Sequence, residues 1–283
     1  MACFKERIIS GQIEKLNLPG VKRVIAVASG KGGVGKSTVA SNLALAMVAE
    51  GFDVGLLDAD IYGPSVAMMM GAVGEKPTVV GEYMQPVVAN GVQCMSMGFV
   101  AGDRTPAVWR GPMASGALQQ LLTQTAWQGL DYLIVDMPPG TGDIQLTLAQ
   151  RVPITGAVIV TTPQDIALLD ARKGIEMFNK VQVPVLGVIE NMSMHRCSNC
   201  GHEEAIFGEG GGDAIAAEYG TRLLARLPLS LSIREQADSG QPTVVSDPES
   251  ETTAQLRAVA IELHVACETI GAGAGPKISI VDD

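Results

Sequence analysis

Basic residues are scarce in this chain: 20 Lys and Arg stand against 30 Asp and Glu, a net charge of −10. That balance argues against a broad nucleic-acid footprint and against electrostatic attraction to an anionic membrane, leaving room only for a local basic patch. Long apolar runs are lacking as well. No stretch of about 18 apolar residues occurs, and the opening Met1-Ala2-Cys3-Phe4-Lys5-Glu6-Arg7 lacks the apolar core of a signal peptide. The expected setting is the cytoplasm, with no nucleic-acid partner and no stable membrane association. Cysteines number five, an odd count with two of them in a C-x-x-C. A disulfide framework is thereby disfavoured, and thiols kept reduced for metal or redox use are expected.

What the chain has is apolar bulk and glycine. A hydrophobic fraction of 47% over 283 residues can bury a substantial core, and one large domain is expected. Residues 1–20 end in Pro19-Gly20 and read as a short arm; 21–270 read as the domain, with a C-x-x-C loop near 191–204. The Gly/Ala-rich 271–283 read as a flexible tail. Buried strands are expected at Val24 to Ala28, Asp53 to Leu57, Asp131 to Val135, Gly156 to Val160, Val185 to Ile189 and Leu223 to Leu227. Helices are expected at Val39 to Glu50, Met113 to Trp127, Ile166 to Lys180, Gly212 to Tyr219 and Glu251 to Glu268. Residues 71–112 read as an irregular excursion with a hairpin and short strand-like pieces such as Gln93-Cys94-Met95-Ser96-Met97. The alternation predicts an α/β fold, a doubly wound and mostly parallel sheet with helices on both faces.

Gly30-Lys31-Gly32-Gly33-Val34-Gly35-Lys36-Ser37-Thr38 lies between the first strand and the first helix. The spacing of Gly30, Gly35, Lys36 and Ser37 is that of a P-loop. Its glycines let backbone N–H groups approach phosphates, Lys36 reaches the β- and γ-phosphates of ATP, and Ser37 ligates Mg²⁺. The helix start at Lys36 to Thr38 adds its polarity. Lys31, a second lysine at the start of the loop, resembles the signature lysine of the deviant Walker A ATPases, which include the MinD/ParA proteins and the nitrogenase iron protein. That resemblance implies a homodimer in which Lys31 reaches across to the partner's nucleotide.

Four carboxylates follow strands: Asp58, Asp60, Asp136 and Asp143. Asp136 is expected to hold Mg²⁺ through water, since its strand should neighbour the P-loop strand. Resemblance to the deviant Walker A class makes Asp60 the residue that positions the attacking water. Asp58 can help anchor the metal, and Gly140 to Gly142 with Asp143 looks like a switch able to move when the γ-phosphate leaves. Each carboxylate could instead cap a following helix or turn. Asn191, after another strand, either turns the chain or, by family resemblance, contacts adenine. Met68, Met69 and Met70 either belong to the core or line a client groove.

Cys197-Ser198-Asn199-Cys200 carries two thiols at knuckle spacing, while Cys3, Cys94 and Cys267 are isolated. Two chains together supply Cys₄, which suits a [4Fe-4S] cluster or Zn²⁺. A one-chain site completed by His195 and His202, or a metal-free redox pair, are the other readings.

These motifs, joined by Trp109-Arg110-Gly111-Pro112-Met113, Asp58-Ala59-Asp60-Ile61-Tyr62-Gly63-Pro64-Ser65, Asp136-Met137-Pro138-Pro139-Gly140-Thr141-Gly142-Asp143, Thr162-Pro163-Gln164-Asp165 and Glu190-Asn191-Met192, resemble the Mrp/ApbC family of iron-sulfur cluster carrier ATPases over about residues 20–245. The resemblance implies a homodimer that bridges a labile [4Fe-4S] cluster through Cys197 and Cys200 and passes it to apoproteins under ATP control. Many bacterial members carry an extra N-terminal domain where this chain has only about 20 residues before its first strand. The contrasting reading is a zinc-pinned dimeric targeting or organising ATPase acting on protein clients.

Overall fold

The computed structural model describes residues 15–100 and 111–272. From the first strand the order is β1 (Val21–Ala28), α1 (Lys36–Ala49), β2 (Val54–Asp58), α2 (Val66–Met69), β3 (Val79–Val80), β4 (Tyr83–Met84), β5 (Val87–Ala89), β6 (Val92–Met95), α3 (Met97–Val100) and α4 (Gly111–Thr123). It continues with β7 (Leu130–Asp136), α5 (Asp143–Arg151), β8 (Gly156–Thr161), α6 (Asp165–Lys180), β9 (Val185–Glu190), β10 (His195–Arg196), β11 (Glu203–Glu204) and α7 (Gly211–Glu218). β12 (Leu223–Arg226), α8 (Leu231–Asp238), α9 (Thr243–Ser246) and α10 (Glu251–Ala272) complete it.

Eight strands form one sheet in the order β12-β9-β8-β1-β7-β2-β6-β5. All neighbours run parallel except β5, which pairs antiparallel with β6 at the edge. Apart from charged residues near their ends, such as Lys22 and Arg23 of β1 and Asp131 of β7, the central strands are apolar because helices cover both faces. On one face α1 and α10 bury Leu43, Met47, Leu256 and Leu263 against Ile25, Val27 and Ile134. On the other, α4, α5 and α6 bury Leu118, Leu148, Ile175 and Phe178 against Ala26, Leu133 and Val135. The expected doubly wound sheet is the one found.

The differences lie at ends and in short pieces. The 71–112 excursion is partly built into the sheet: β6 pairs with β2, matching Gly55 to Gln93, Leu56 to Cys94 and Leu57 to Met95, and β5 closes that edge. α4 stops at Thr123 rather than Trp127. Trp127 instead folds back, donating from Nε1 to the Leu122 carbonyl at 3.2 Å. α5 and α8 were not expected, and α10 runs on to Ala272. At the described end of the expected arm, Leu16 N–H bonds the Arg151 carbonyl at 2.7 Å and Leu18 is buried. Residues 1–14, the Trp109-Arg110 pair and the tail from 273 lie outside the described residues. No described helix is long and apolar enough to cross a membrane.

Where α2 and α8 end they meet backbone to backbone. Gly240 has φ 73, and a Cβ built on it would stand 2.5 Å from the Gly71 Cα. Gly220 has a similar φ of 62 but nothing within 4 Å of such a Cβ. Gly220→Ala is therefore expected to lose only the left-handed backbone cost, about 1 kcal/mol, and Gly240→Ala that cost plus overpacking, about 3 kcal/mol. Urea midpoints of the two variants check the difference.

Candidate functional site

Parallel register brings the chemistry to one sheet edge. Val27 of β1 lies opposite Asp136 of β7, and Asp58 of β2 lies opposite Asp136 on its other side. Ligands of open α/β sheets bind at this carboxyl edge. The loop 30–35 leaves β1 and delivers Lys36 as the first residue of α1. Gly30 packs on α6 so closely that a Cβ would sit 2.1 Å from the Asp170 carbonyl. Gly32 and Gly33 are exposed, Val34 is buried, and Ser37 and Thr38 are half-buried in the first turn. Gly35 caps the helix with φ 81, and a Cβ there would strike the Asn191 amide at 2.2 Å. Ser29 Oγ steadies the turn by donating to the Lys31 carbonyl at 2.8 Å. The Lys31 side chain is half-exposed, with no ion-pair partner among the described residues.

Lys36 and Asp136 form a buried ion pair, 6% and 0% exposed. The same ammonium donates to Ser37 Oγ at 3.1 Å. Burial pushes the Asp136 carboxyl up, and Lys36 pulls it back. Asp136 Oδ2 is buried with no hydrogen-bond partner among the described residues. An orphaned carboxylate oxygen close to the Ser37 hydroxyl is a donor set that suits a hard divalent cation such as Mg²⁺.

Asp58 does something the sequence did not reveal. It is 1% exposed. Its Oδ2 accepts from Ser65 N–H at 2.9 Å, Val66 N–H at 3.0 Å and Ser96 Oγ at 3.0 Å, while Oδ1 accepts from Asp60 N–H at 3.1 Å. It thus ties the 59–65 loop and the start of α2 to the sheet. Burial, then the charge of Asp136, push its carboxyl up to about 7 despite these bonds. Asp60 is half-buried at the mouth of the site, its Oδ1 accepting from Gly63 N–H at 3.3 Å. Asp143 is exposed in the first turn of α5, as a helix-start carboxylate. Gln145 of the same turn, buried, donates to the Pro138 and Pro139 carbonyls. Gly140 N–H bonds the Ser29 carbonyl at 3.0 Å, joining the 137–142 turn to the P-loop.

Asn191 Nδ2 donates to the Val34 carbonyl at 2.9 Å, so this side chain braces the phosphate loop from behind. Met192 follows with φ 56, one of three described non-glycine residues in that region, a conformation that stores strain. A groove of about 520 Å³ opens from Gly35 and Thr38 past Asn191, Met192 and Pro228 to Ile233. Its walls are largely apolar, as a stacking base requires. The 228–233 segment carries no motif, and sequence reasoning missed it. Met69 lines this groove, Met70 belongs to the core at 2% exposure, and Met68 is 44% exposed.

Four residues beyond Asn191, β10 and β11 form an antiparallel hairpin, His195 opposite Glu204 and Arg196 opposite Glu203. Cys197 and Cys200 sit in its turn, closed by Cys197 N–H to the His202 carbonyl and Gly201 N–H to the Cys197 carbonyl, both 2.9 Å. Backbone N–H groups of Cys200 and then Asn199 face the Cys197 sulfur and hold its thiol below the usual range. Such a turn stabilises a thiolate, the form that ligates metal. His195 Nδ1 is engaged with the Leu229 carbonyl at 3.1 Å. Among the described residues no group of three or more His, Cys, Asp or Glu is placed to hold a metal, so a one-chain Cys₂His₂ set is not assembled here. Cys94 and Cys267 are buried, their thiols pushed up to about 12 and about 11 by desolvation. In metal-free protein at neutral pH, iodoacetamide is expected to alkylate Cys197 ahead of Cys200 and to reach Cys94 and Cys267 only on unfolding. Peptide mass spectrometry over a time course reads that order.

A family model described as ParA, the NUBPL iron-transfer P-loop NTPase, matches residues 20–264. An iron-sulfur cluster carrier protein of Pseudomonas fragi is 62% identical over 248 residues, covering 86% of each chain. One of Escherichia coli K12 is 62% identical over 242 residues, 85% of this chain and 66% of that protein. The iron-sulfur cluster transfer protein NUBPL of Mus musculus is 51% identical over 255 residues, 89% of this chain and 78% of that one. Among solved structures, a nucleotide-binding protein from Archaeoglobus fulgidus in complex with ADP superposes with a TM-score of 0.72 at 36% identity, covering 83% of this chain and 92% of that one. The cell division ATPase MinD of Pyrococcus furiosus, at 21% identity and a TM-score of 0.63 over 86% of this chain and 99% of its own, shares the fold. Matched over nearly its whole sheet and over both the phosphate loop and the thiol hairpin, the chain belongs to the ParA/NUBPL family of iron-transfer P-loop NTPases.

Proposed function

We propose that this protein binds and hydrolyses ATP as a cytoplasmic homodimer, holds a [4Fe-4S] cluster between the Cys197 and Cys200 pairs of two chains, and delivers it to apoproteins. One observation carries the reading: the thiolate-stabilising turn at Cys197 lies six residues beyond Asn191, the side chain that braces the phosphate loop. Two thiols per chain are half of a four-ligand set. A cargo held by so few bonds from each side can be handed on.

In this mechanism the triphosphate draws the Lys36 ammonium from Asp136 and Ser37 onto its β- and γ-oxygens. Backbone N–H groups of 32–38 surround the phosphates. Ser37 and Asp136 hold Mg²⁺, which when bound neutralises charge on the phosphates. Asp60 orients the attacking water, Lys31 of one chain neutralises the γ-phosphate on the other, and the base lies in the groove between Asn191 and Pro228. Loss of the γ-phosphate releases the 137–142 turn from the P-loop. The same change shifts Asn191, Met192 and the hairpin, so that the two thiol pairs close on or part from the cluster.

Two measurements test this. Anaerobically purified protein is expected to be brown with about four irons and four sulfides per dimer, and Cys197→Ala/Cys200→Ala to be colourless. About one zinc per dimer, with no colour after reconstitution with iron and sulfide, would replace this reading by a zinc-pinned switch. Lys31→Ala is expected to bind ATP normally but turn over roughly 10²-fold more slowly, the size of effect seen when one charge-stabilising group is removed. Normal turnover would remove Lys31 from the mechanism.

A further inference from the structure

Residues 193–196 run on from β9 beside 227–229, with Ser193 N–H on the Leu227 carbonyl at 3.0 Å and Leu229 N–H on the Met194 carbonyl at 2.8 Å. This stretch separates two concavities. Met192 and His195 line the groove beside the P-loop, whereas Met194 and Arg196 line a cleft of about 830 Å³ on the other side. That cleft is walled by the hairpin, the approach to α7, β12 and the start of α10. The mechanism above does not use it.

Its chemistry is one-sided. Glu190, Glu203, Glu209 and Glu251 line it against the guanidinium groups of Arg196 and Arg226. Arg226 is already engaged with Asp213 and Glu190, and Glu190 also accepts from Gly212 N–H at 2.6 Å. Glu203, Glu209 and Glu251 have no ion-pair partner among the described residues. Gln255, a further lining residue, keeps a buried Oε1 without a hydrogen-bond partner among them. Glu251 takes only a long bond from Gln255 Nε2 at 3.4 Å, so the cleft presents carboxylates with no cation set against them. A bare metal ion does not answer this, because no three of the described carboxylates converge on one point. The volume instead accommodates the long donor-bearing side chains of a polypeptide. Arg196 is both a wall of the cleft and the chain neighbour of Cys197, so whatever is seated there lies beside the thiols.

We propose that the cleft docks a basic segment of the apoprotein that receives the cluster, its Arg and Lys side chains set against Glu203, Glu209 and Glu251. This rests on the carrier reading of Cys197 and Cys200. Complementary charge on the recipient speeds its arrival and fixes its orientation at the point of transfer.

The test uses a short fluorescein-labelled peptide of Arg and Lys spaced by glycine, titrated by anisotropy into the full chain. Glu209→Gln/Glu251→Gln is expected to weaken binding roughly tenfold, and the exposed pair Glu75→Gln/Glu82→Gln, which changes net charge equally, by no more than about twofold. Equal losses in both pairs, or none in either, overturn the docking site. A shift of the monomer–dimer equilibrium by Glu209→Gln/Glu251→Gln in sedimentation, without loss of peptide binding, assigns the cleft to a second copy and likewise overturns it. Iron content of the same preparations separates the two readings. Protein that loads iron but shows no cleft preference loses the docking site alone, and protein that takes up no iron loses the carrier reading and, with it, the recipient as occupant.

Discussion

A carboxylate sealed from water sits at the centre of this molecule, tolerable only because a lysine from the next loop meets it. Neither Asp136 nor Lys36 could be buried alone, since removing one partner of such a pair leaves an uncompensated charge costing about 3–5 kcal/mol. Their meeting requires β1 and β7 to lie side by side in one register, and that in turn requires the apolar strands and two helical layers that hold the sheet flat-on. The fold is thus a device for keeping one cation and one anion together at a strand edge. A polyphosphate is a ligand able to compete for the cation and leave the anion a metal to hold.

Around that pair the loops brace each other in sequence-distant contacts. Asp58 ties the 59–65 loop to the sheet and to Ser96, just past the end of β6. Gln145 and Gly140 tie the 137–142 turn to its own prolines and to Ser29. Asn191 ties the end of β9 to Val34. The 137–142 turn and the end of β9 are therefore bonded to the phosphate loop, while the 59–65 loop is held to the sheet beside it, and the hairpin bearing the thiols begins four residues beyond Asn191.

Much of this was legible beforehand. Val24 to Ala28 and Asp131 to Val135 announce themselves because strands covered on both faces are continuous apolar runs, and the P-loop because its spacing is chemistry written locally. α5 was hidden because Asp143–Arg151 follows a glycine-rich turn and buries only Gln145, Leu148 and Ala149. β6 showed itself only as the strand-like piece Gln93 to Met97, and β5, three residues long, is a strand only through its pairing. Asp58 read as a metal neighbour because its four donors come from residues up to 38 positions away, which no local pattern encodes. The groove wall from Pro228 to Ile233 was missed for the same reason, being defined by what it faces.

The path from Asn191 to Cys197 turns at Met192, whose φ is 56, and then runs beside 227–229 into β10, where an extended chain has only two directions in which to point its side chains. Before that turn Asn191 aims its amide at Val34; beyond it His195 faces the groove and Arg196 the cleft. The parity of this segment is consequently under tighter constraint than its composition. Side chains can be exchanged along it with both ends intact, but adding or removing one residue would interchange the two sides, leaving a sound phosphate loop and a sound pair of thiols that no longer answer to each other.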